Sequence, residues 1–439
     1  MKKSGIAFLM IAVVSLCSVF AAGGSQSGGS GPKNLILWCA YSQPARIAAM
    51  DSAINIYQTE NPGITVTRQL VPWANVRTDW IASKMAKTLP QMVVASDSDL
   101  INMWDAGDLA SVNDVVQAMG GPGAFLAGPL NGLKIGNDYI GLPHYTLSWK
   151  LVVRTDWLKE AGLPIPKTWD EFAKAAIAMT KAPDRYGFDM PFAKSAYKAR
   201  EWLMYFMRTN GAEFYDANGK AHFNTPETIE TVRFLVDLYK QTGRQAALNY
   251  SEDDCIQNFV RGTVGFVFAS GSIINAILGT NPDILNNMAV IDTPINPKKN
   301  IPPVDGAGLV GIGKFKGVAN SQETSNFLRF LLREDIYREF LLSMPNMVPI
   351  TTEGSKDSLF WNNPIVANYA PLYQRWMDGA MTGVRVGMEH GPTPVASAGT
   401  TGSEIEDMFQ SILVDGVSVE AAVKATNDRI ASNLATAGY

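Results

Sequence analysis

Short β-like runs alternate with amphipathic helical stretches along most of the chain, which is the pattern of α/β architecture. Leu35-Ile36-Leu37-Trp38 predicts a first strand. Ile47, Met50, Ile54 and Tyr57 then recur at helical spacing until Asn61-Pro62-Gly63 stops the helix. Ile64 to Leu70 predicts a second strand. Val76, Trp80 and Met85 mark the next helix face, Met92-Val93-Val94 a buried strand, and Leu100, Met103 and Trp104 another helix. The opening third therefore reads as a parallel, doubly wound sheet.

Capping chemistry marks the helices farther on. Thr168-Trp169-Asp170-Glu171 has the spacing of a capping box, in which the Thr hydroxyl and the Glu carboxylate each satisfy an unpaired N–H, and Phe172, Ala175, Ala176 and Met179 supply the apolar face. Thr225-Pro226 repeats the signal with Pro at the first helical position, and Gly243 is the expected left-handed stop. Between these helices, Asp216-Ala217-Asn218-Gly219 joins two short β-like pieces, Glu213 to Tyr215 and Lys220 to Phe223. It reads as a hairpin turn, because a calcium loop needs more acidic ligands. The last stretch is mainly helical, over Phe327 to Leu332, Ile336 to Leu342, Ile405 to Leu413 and Val419 to Leu434.

The amino end has a separate character. Lys2 and Lys3 precede an apolar run from Ile6 to Leu16, too short to span a bilayer, and Val19-Phe20-Ala21 offers a small-residue exit. Residues 1–21 read as a cleaved signal peptide and residues 22–32 as a Gly/Ser linker. Lipid anchoring at Cys17 is the lesser reading, since bulky Leu16 precedes it. Export leaves about 410 residues, enough for two domains. A net charge of −4 gives no reason to expect nucleic acid or anionic lipid as a partner. Cys39 and Cys255, far apart in sequence, read as buried free thiols, so disulfides do not hold this fold together.

Tyr139-Ile140-Gly141-Leu142-Pro143, then Leu151 to Arg154, Trp157-Leu158-Lys159-Glu160-Ala161-Gly162-Leu163 and Pro166-Lys167-Thr168-Trp169-Asp170-Glu171-Phe172 occur in this order. Together with Gly262 to Ser272 and Val304-Asp305-Gly306-Ala307-Gly308, they resemble the bacterial extracellular solute-binding proteins of ABC importers, of the maltose- and multiple-sugar-binding type. The resemblance covers nearly the whole mature chain. It departs at Ile273, where many members have Trp, and at Asp305, where Gly is common. It implies a two-lobed clamp of the type II periplasmic-binding-protein kind, each lobe a sheet flanked by helices, with three hinge crossovers. By this analogy the first lobe takes residues 33–144 plus 271–311, and the second 145–270 plus 312–439. The implied role is capture of a sugar and its delivery to a membrane-embedded ABC permease, by a monomer with no chemistry of its own and no cofactor.

A sugar presents an apolar C–H face and a rim of hydroxyls, so its site needs aromatic platforms and planar polar side chains. Open α/β sheets bind ligands beyond the carboxyl ends of their strands, which selects Tyr41, Ser42 and Gln43, then Trp73, then Ser96 and Asp97, with His144 and Tyr145 at the first crossover. Glu201 with Trp202, Gly271 with Ser272, Asp305, Trp361 and Arg385 complete the candidates. Several have a structural reading beside the functional one. Ser96 and Asp97 suit a helix cap; His144 suits a buried, hydrogen-bonded imidazole; Trp361 suits a loop anchor; Arg385 suits an ordinary ion pair. Trp80, Trp104, Trp157 and Trp169 sit at helix-face spacing and are expected in the core.

Gly306-Ala307-Gly308-Leu309-Val310-Gly311 satisfies the dinucleotide pattern in spacing, and Gly308 to Lys314 most of a phosphate loop. Both motifs require the glycines to open a helix, and here they enter an apolar run. The three histidines, His144, His222 and His390, lack zinc-motif spacing, and no metal site is expected. The alternative to a binder is an exported carbohydrate hydrolase or lyase using paired carboxylates drawn from Asp97, Glu201 and Asp305.

Overall fold

The computed structural model describes residues 32–41, 43–194, 198–344, 347–400 and 402–439. The expected signal peptide, nearly all of the Gly/Ser linker, Cys17 and Ser42 lie outside the described residues.

Eleven strands occur among the described residues: β1 (Lys33–Cys39), β2 (Ile64–Leu70), β3 (Met92–Ser96), β4 (Leu109–Ala110), β5 (Lys134–Ile135), β6 (Asp138–Tyr139), β7 (Leu142–Arg154), β8 (Tyr186–Phe188), β9 (Val264–Ala269), β10 (Met288–Ile291) and β11 (Gly306–Phe315). Nine of them join in one sheet of order β2-β1-β3-β11-β7-β9-β8, with β4 beside β11 and β10 beside β7. β1 pairs in parallel with both β2 and β3, the doubly wound opening that the alternating pattern predicts. The helices between them, Pro44–Glu60 and Val76–Ala86, bury Met50, Ile54 and Tyr57 in the first case and Val76 and Trp80 in the second, while Met85, expected on the same face, is exposed in the last turn.

The thirteen-residue strand β7 organises the rest. Its first part, Leu142 to Trp149, lies antiparallel to β11, with Trp149 opposite Gly306. From Lys150 onward it changes partners, pairing with β9 on one side and β10 on the other. The sheet thus has two halves sharing one strand, and the crossing falls between Trp149 and Lys150.

Two segments lie differently from the expected allotment of lobes. Met288–Ile291 pairs with the second part of β7, so the region from Gly271 to Asp305 sits with the second half of the sheet. The helix Ser321–Leu331 packs against Asn113–Ala118 and Pro44–Glu60, which places it with the first half. The reason is that β7 serves both halves of the sheet, and which part of one strand meets which partner is a property of pairing that neither the spacing of residues nor a resemblance of segment order gives.

The capping box at Thr168 and Glu171 forms as its spacing predicts, and Phe172, Ala175, Ala176 and Met179 are buried. Gly243 does not: its backbone is extended, φ −84° and ψ 168°. A Cβ there would overlap the Tyr239 ring, so close approach and not a left-handed cap explains the glycine. The expected hairpin reduces to a single bridge between Tyr215 and Ala221, closed by Asp216 Oδ1, which accepts from the N–H groups of Asn218 and Lys220 at 2.9 Å each. Cys39 and Cys255 are buried free thiols, and burial pushes the Cys39 thiol up to about 11. No helix among the described residues is long and apolar enough to cross a membrane.

Candidate functional site

A cleft of about 350 Å³ opens where the two halves of the sheet meet. Four parts of the chain build it. The carboxyl end of β3 brings Ser96 and Asp97; the crossing of β7 and β11 brings Trp149 and Gly306 to Gly308; the helix Ala199–Thr209 brings Arg200, Glu201, Met204 and Tyr205. The segment Val384 to Thr400 closes the remaining side with Arg385, Met388 and Ser397.

Local rules fix each wall. Ser96 is the N-cap of the helix Asp97–Asp105: its hydroxyl accepts from the Asp99 N–H at 3.2 Å and donates to Asp99 Oδ2 at 2.6 Å. That frees Asp97, at the first helical position, to pair with Arg385, while its Oδ1 accepts from the Ser98 N–H at 2.8 Å. Burial raises the Asp97 pKa, and Arg385 opposes the rise. Strand alternation turns Trp149 toward the cleft and its neighbours Ser148 and Lys150 to the other face. On that face Ser148 donates to the Trp376 carbonyl at 2.6 Å, and Lys150 is ion-paired with Asp305 and, at 2.9 Å, with Asp292.

The glycines of β11 now have a physical reason. A Cβ on Gly308 would come within 2.9 Å of the Trp149 ring, and one on Gly306 would overlap the Tyr205 hydroxyl. They are small to admit two aromatic side chains, and they lie within a paired strand, with no helix starting before Ser321. The nucleotide patterns are coincidences of spacing.

Glu201 on the cleft wall is held by Lys198 at 2.8 Å, and the Lys198 ammonium lies 5.0 Å from the Trp149 ring centroid. Lys198 also reaches Glu252 at 3.6 Å; burial raises the Glu252 pKa, and Lys198 opposes the rise. Ser397 donates to Asn102 Oδ1 at 2.7 Å, and Tyr439 to Asp105 Oδ2 at 2.8 Å. With Asp97 and Arg385, these contacts fasten the carboxyl-terminal segment to the helix after β3.

Of the residues selected from sequence, Ser96, Asp97, Glu201 and Arg385 line this cleft. Tyr41, His144 and Tyr145 do not. They form a buried cluster in which the Tyr41 hydroxyl and His144 Nδ1 are 2.8 Å apart, His144 stacks on Phe340 at 4.1 Å, and Arg46 donates to the Tyr145 hydroxyl at 2.9 Å. Burial and the nearby Arg46 push the His144 pKa down to about 3, which keeps the imidazole neutral. Trp73 is half-buried against the same cluster, 6.3 Å from the Tyr41 ring, and Gln43 is exposed at the start of the helix Pro44–Glu60.

Trp202 belongs to the core: it is fully buried, stacked on Phe188 at 5.9 Å and edge-on to Phe268 at 5.3 Å. Its neighbour Glu201 faces the cleft because a residue beside it on a helix points about 100° away. Gly271 and Ser272 form the turn before the helix Ile273–Thr280, where the Ser270 and Ser272 hydroxyls lie 2.9 Å apart. Asp305 is buried against Lys150, and Trp361 donates from Nε1 to the Ser355 carbonyl at 2.9 Å. Trp80, Trp157 and Trp169 are buried, as their spacing predicts, whereas Trp104 is half-buried at the edge of the core.

Sequence reasoning missed Trp149 and Tyr205. Trp149 carried a signal, being a large aromatic flanked by Ser148 and Lys150 in a strand. Tyr205 carried one too, four residues after Glu201 and so on the same helix face. Among the described residues no group of His, Cys, Asp and Glu is arranged to hold a metal ion.

Strands β1 to β3 in parallel, a long shared strand and a cleft at the crossing define an α/β binding clamp. Residues 41–337, more than half of the chain, match the bacterial extracellular solute-binding protein family, and the chain belongs to that family. A relative in Escherichia coli (strain K12), named as a candidate ABC transporter periplasmic-binding protein, YcjN, is 24% identical over 326 residues, 71% of this chain and 73% of the relative. The sugar-binding protein MalE of Xanthomonas citri has the same fold with a TM-score of 0.75 at 19% identity, over 92% of this chain and 98% of that one. So does an ABC transporter solute-binding protein from Thermotoga lettingae bound with α-D-tagatose, with a TM-score of 0.73 at 21% identity over 92% and 100%. The protein is therefore a solute-binding protein with a two-lobed, type II clamp fold.

Proposed function

We propose that this protein captures a mono- or oligosaccharide in the cleft between its two sheet halves and delivers it to an ABC permease, acting outside the cytoplasm as a monomer without chemistry. One observation carries the reading. At the strand crossing an indole face, Trp149, meets planar and hydroxyl groups from both halves, namely Asp97 and Ser96 from one and Glu201 and Tyr205 from the other. A ligand touching both halves draws them together, and closure buries it. The tagatose held by the Thermotoga lettingae protein supports this class of cargo. Relatives named as periplasmic and extracellular support export, which the amino-terminal signal would direct.

The hydrolase or lyase reading has less support. Asp305 is withdrawn from the cleft, and the two carboxylates that remain are each held by a cation, Asp97 by Arg385 and Glu201 by Lys198. A general acid of that chemistry needs a carboxyl that gives its proton to the leaving oxygen. Isothermal titration with a carbohydrate panel, followed by chromatography of the recovered ligand, tests the choice. Saturable binding of one intact ligand per chain is expected, and recovery of a cleaved ligand would refute it.

A further inference from the structure

Three arginines from distant parts of the sequence meet in the cleft: Arg77, Arg200 and Arg385. Only Asp97 and Glu201 oppose them on its lining, and both are engaged, Asp97 by Arg385 and Glu201 by Lys198. Arg385 is thereby spent on Asp97. The other two guanidinium groups form no ion pair within 4.0 Å among the described residues, although the charge of Arg200 acts on buried Glu406 and that of Arg77 on half-buried Asp99. Arg200 donates from Nη1 to the Thr400 carbonyl at 2.8 Å, and its Nε is buried with no hydrogen-bond partner. Arg77 makes no side-chain hydrogen bond or ion pair with any described residue, and it lies where the cleft meets a shallower depression lined by Asn102 and Tyr439.

A guanidinium always carries its charge and offers a fork of N–H donors that fits a carboxylate or phosphate. A guanidinium on the cleft wall with one N–H group engaged keeps further donors, and pairing them with an anion is favourable. With Arg385 compensated by Asp97 and Glu201 by Lys198, Arg77 and Arg200 are the lining charges left for an anion, and Arg200, one of whose N–H groups is already given to the Thr400 carbonyl, offers the rest of its planar fork to a carboxylate. Trp149 supplies the platform for an apolar ring face beside it. Resting on the carbohydrate-capture reading above, we infer that the cargo is an acidic sugar carrying a carboxylate, such as a uronic acid or an oligomer ending in one, and that Arg200, assisted by Arg77, reads that group.

The test is calorimetric titration of the mature protein with matched sets: galacturonate, galactose and galactose 6-phosphate; digalacturonate and its neutral counterpart digalactose; and malonate as a non-carbohydrate acid. Each is run at low and at moderate salt, on the parent and on Arg200→Gln, Arg200→Lys and Arg77→Gln. The uronates are expected to bind at least about 10-fold more tightly than their neutral counterparts, with the advantage shrinking as salt is raised. Arg200→Gln is expected to lower the acid-to-neutral affinity ratio by about 10- to 100-fold, the range for one charged hydrogen-bonding group. Arg200→Lys should restore part of that ratio, and thermal melts of each variant show whether it folds. A neutral sugar that binds as tightly as its acid overturns this inference and leaves carbohydrate capture standing. A sugar phosphate preferred over the uronate overturns the carboxylate assignment. Malonate binding without any sugar overturns the carbohydrate reading itself, and failure of every uronate to bind counts against the inference directly.

Discussion

Glu406 offers a quantitative test of how the cleft wall is anchored. It is fully buried, and its Oε1 accepts from the Ala199 N–H at 3.0 Å, at the start of the helix that carries Arg200, Glu201, Met204 and Tyr205. Its other oxygen has no hydrogen-bond partner. Burial raises its pKa from an ordinary 4.5 to about 7, opposed by the Ala199 N–H and the charge of Arg200. Below about pH 4.5 the carboxyl is protonated in both folded and unfolded chains, so its contribution to stability is fully present. As pH rises through about 7 the unfolded chain ionises first and that contribution is lost, about 3 kcal/mol in all at ~1.4 kcal/mol for each pH unit separating the two pKa values. Glu406→Gln keeps the acceptor for Ala199 and removes the ionisation. Its amide leaves an unpartnered NH₂ group, which costs ~1–2 kcal/mol at every pH, so the readout is the change in the stability difference with pH. Urea unfolding of both proteins at pH 4.5 and pH 8 should show the variant gaining about 3 kcal/mol on the parent between those values. A difference that does not change with pH, or one that moves against the variant, would refute the reasoning.

Other substitutions test other parts of the account. Trp149→Ala should weaken carbohydrate binding at least ~10-fold while leaving stability within ~1 kcal/mol, because the ring is only partly buried; titration and melting together check it. Trp202→Ala should cost ~3–5 kcal/mol of stability by opening a cavity beside Phe188 and Phe268, visible as a lower urea midpoint. Lys150→Met leaves buried Asp305 without its cation and should destabilise by about 3 kcal/mol at neutral pH, with part of the loss recovered by Asp305→Asn in the same chain. The His144 imidazole resonances should show no titration between pH 5 and 8, since its pKa is held at about 3; a midpoint near 6.5 would contradict its burial.

The parallel opening, the capping box at Thr168 and the buried helix faces were legible because each follows from spacing within a few residues. The rule that ligands gather beyond strand ends located Ser96 and Asp97 after β3, where a helix starts at once and holds them at the cleft. It misplaced Tyr41 after β1, since the chain there turns under Phe340 and His144 into the core. Glu201 and Trp202 show the limit of reading neighbours as a pair: on a helix one faces the cleft and the other the core. Trp149 was hidden because its role depends on β7 changing partners at that point, which is a property of pairing across the sheet. Arg77, Arg200 and Arg385 are remote in sequence, and only the fold makes one charged wall of them.

The central claim is capture of an intact carbohydrate at the crossing of β7 and β11. Native mass spectrometry of the protein taken from its own host without denaturation tests it most directly. One saccharide of unchanged mass per chain is predicted, absent from Trp149→Ala prepared in parallel. A bound non-carbohydrate, or a saccharide retained equally by the variant, would contradict the account.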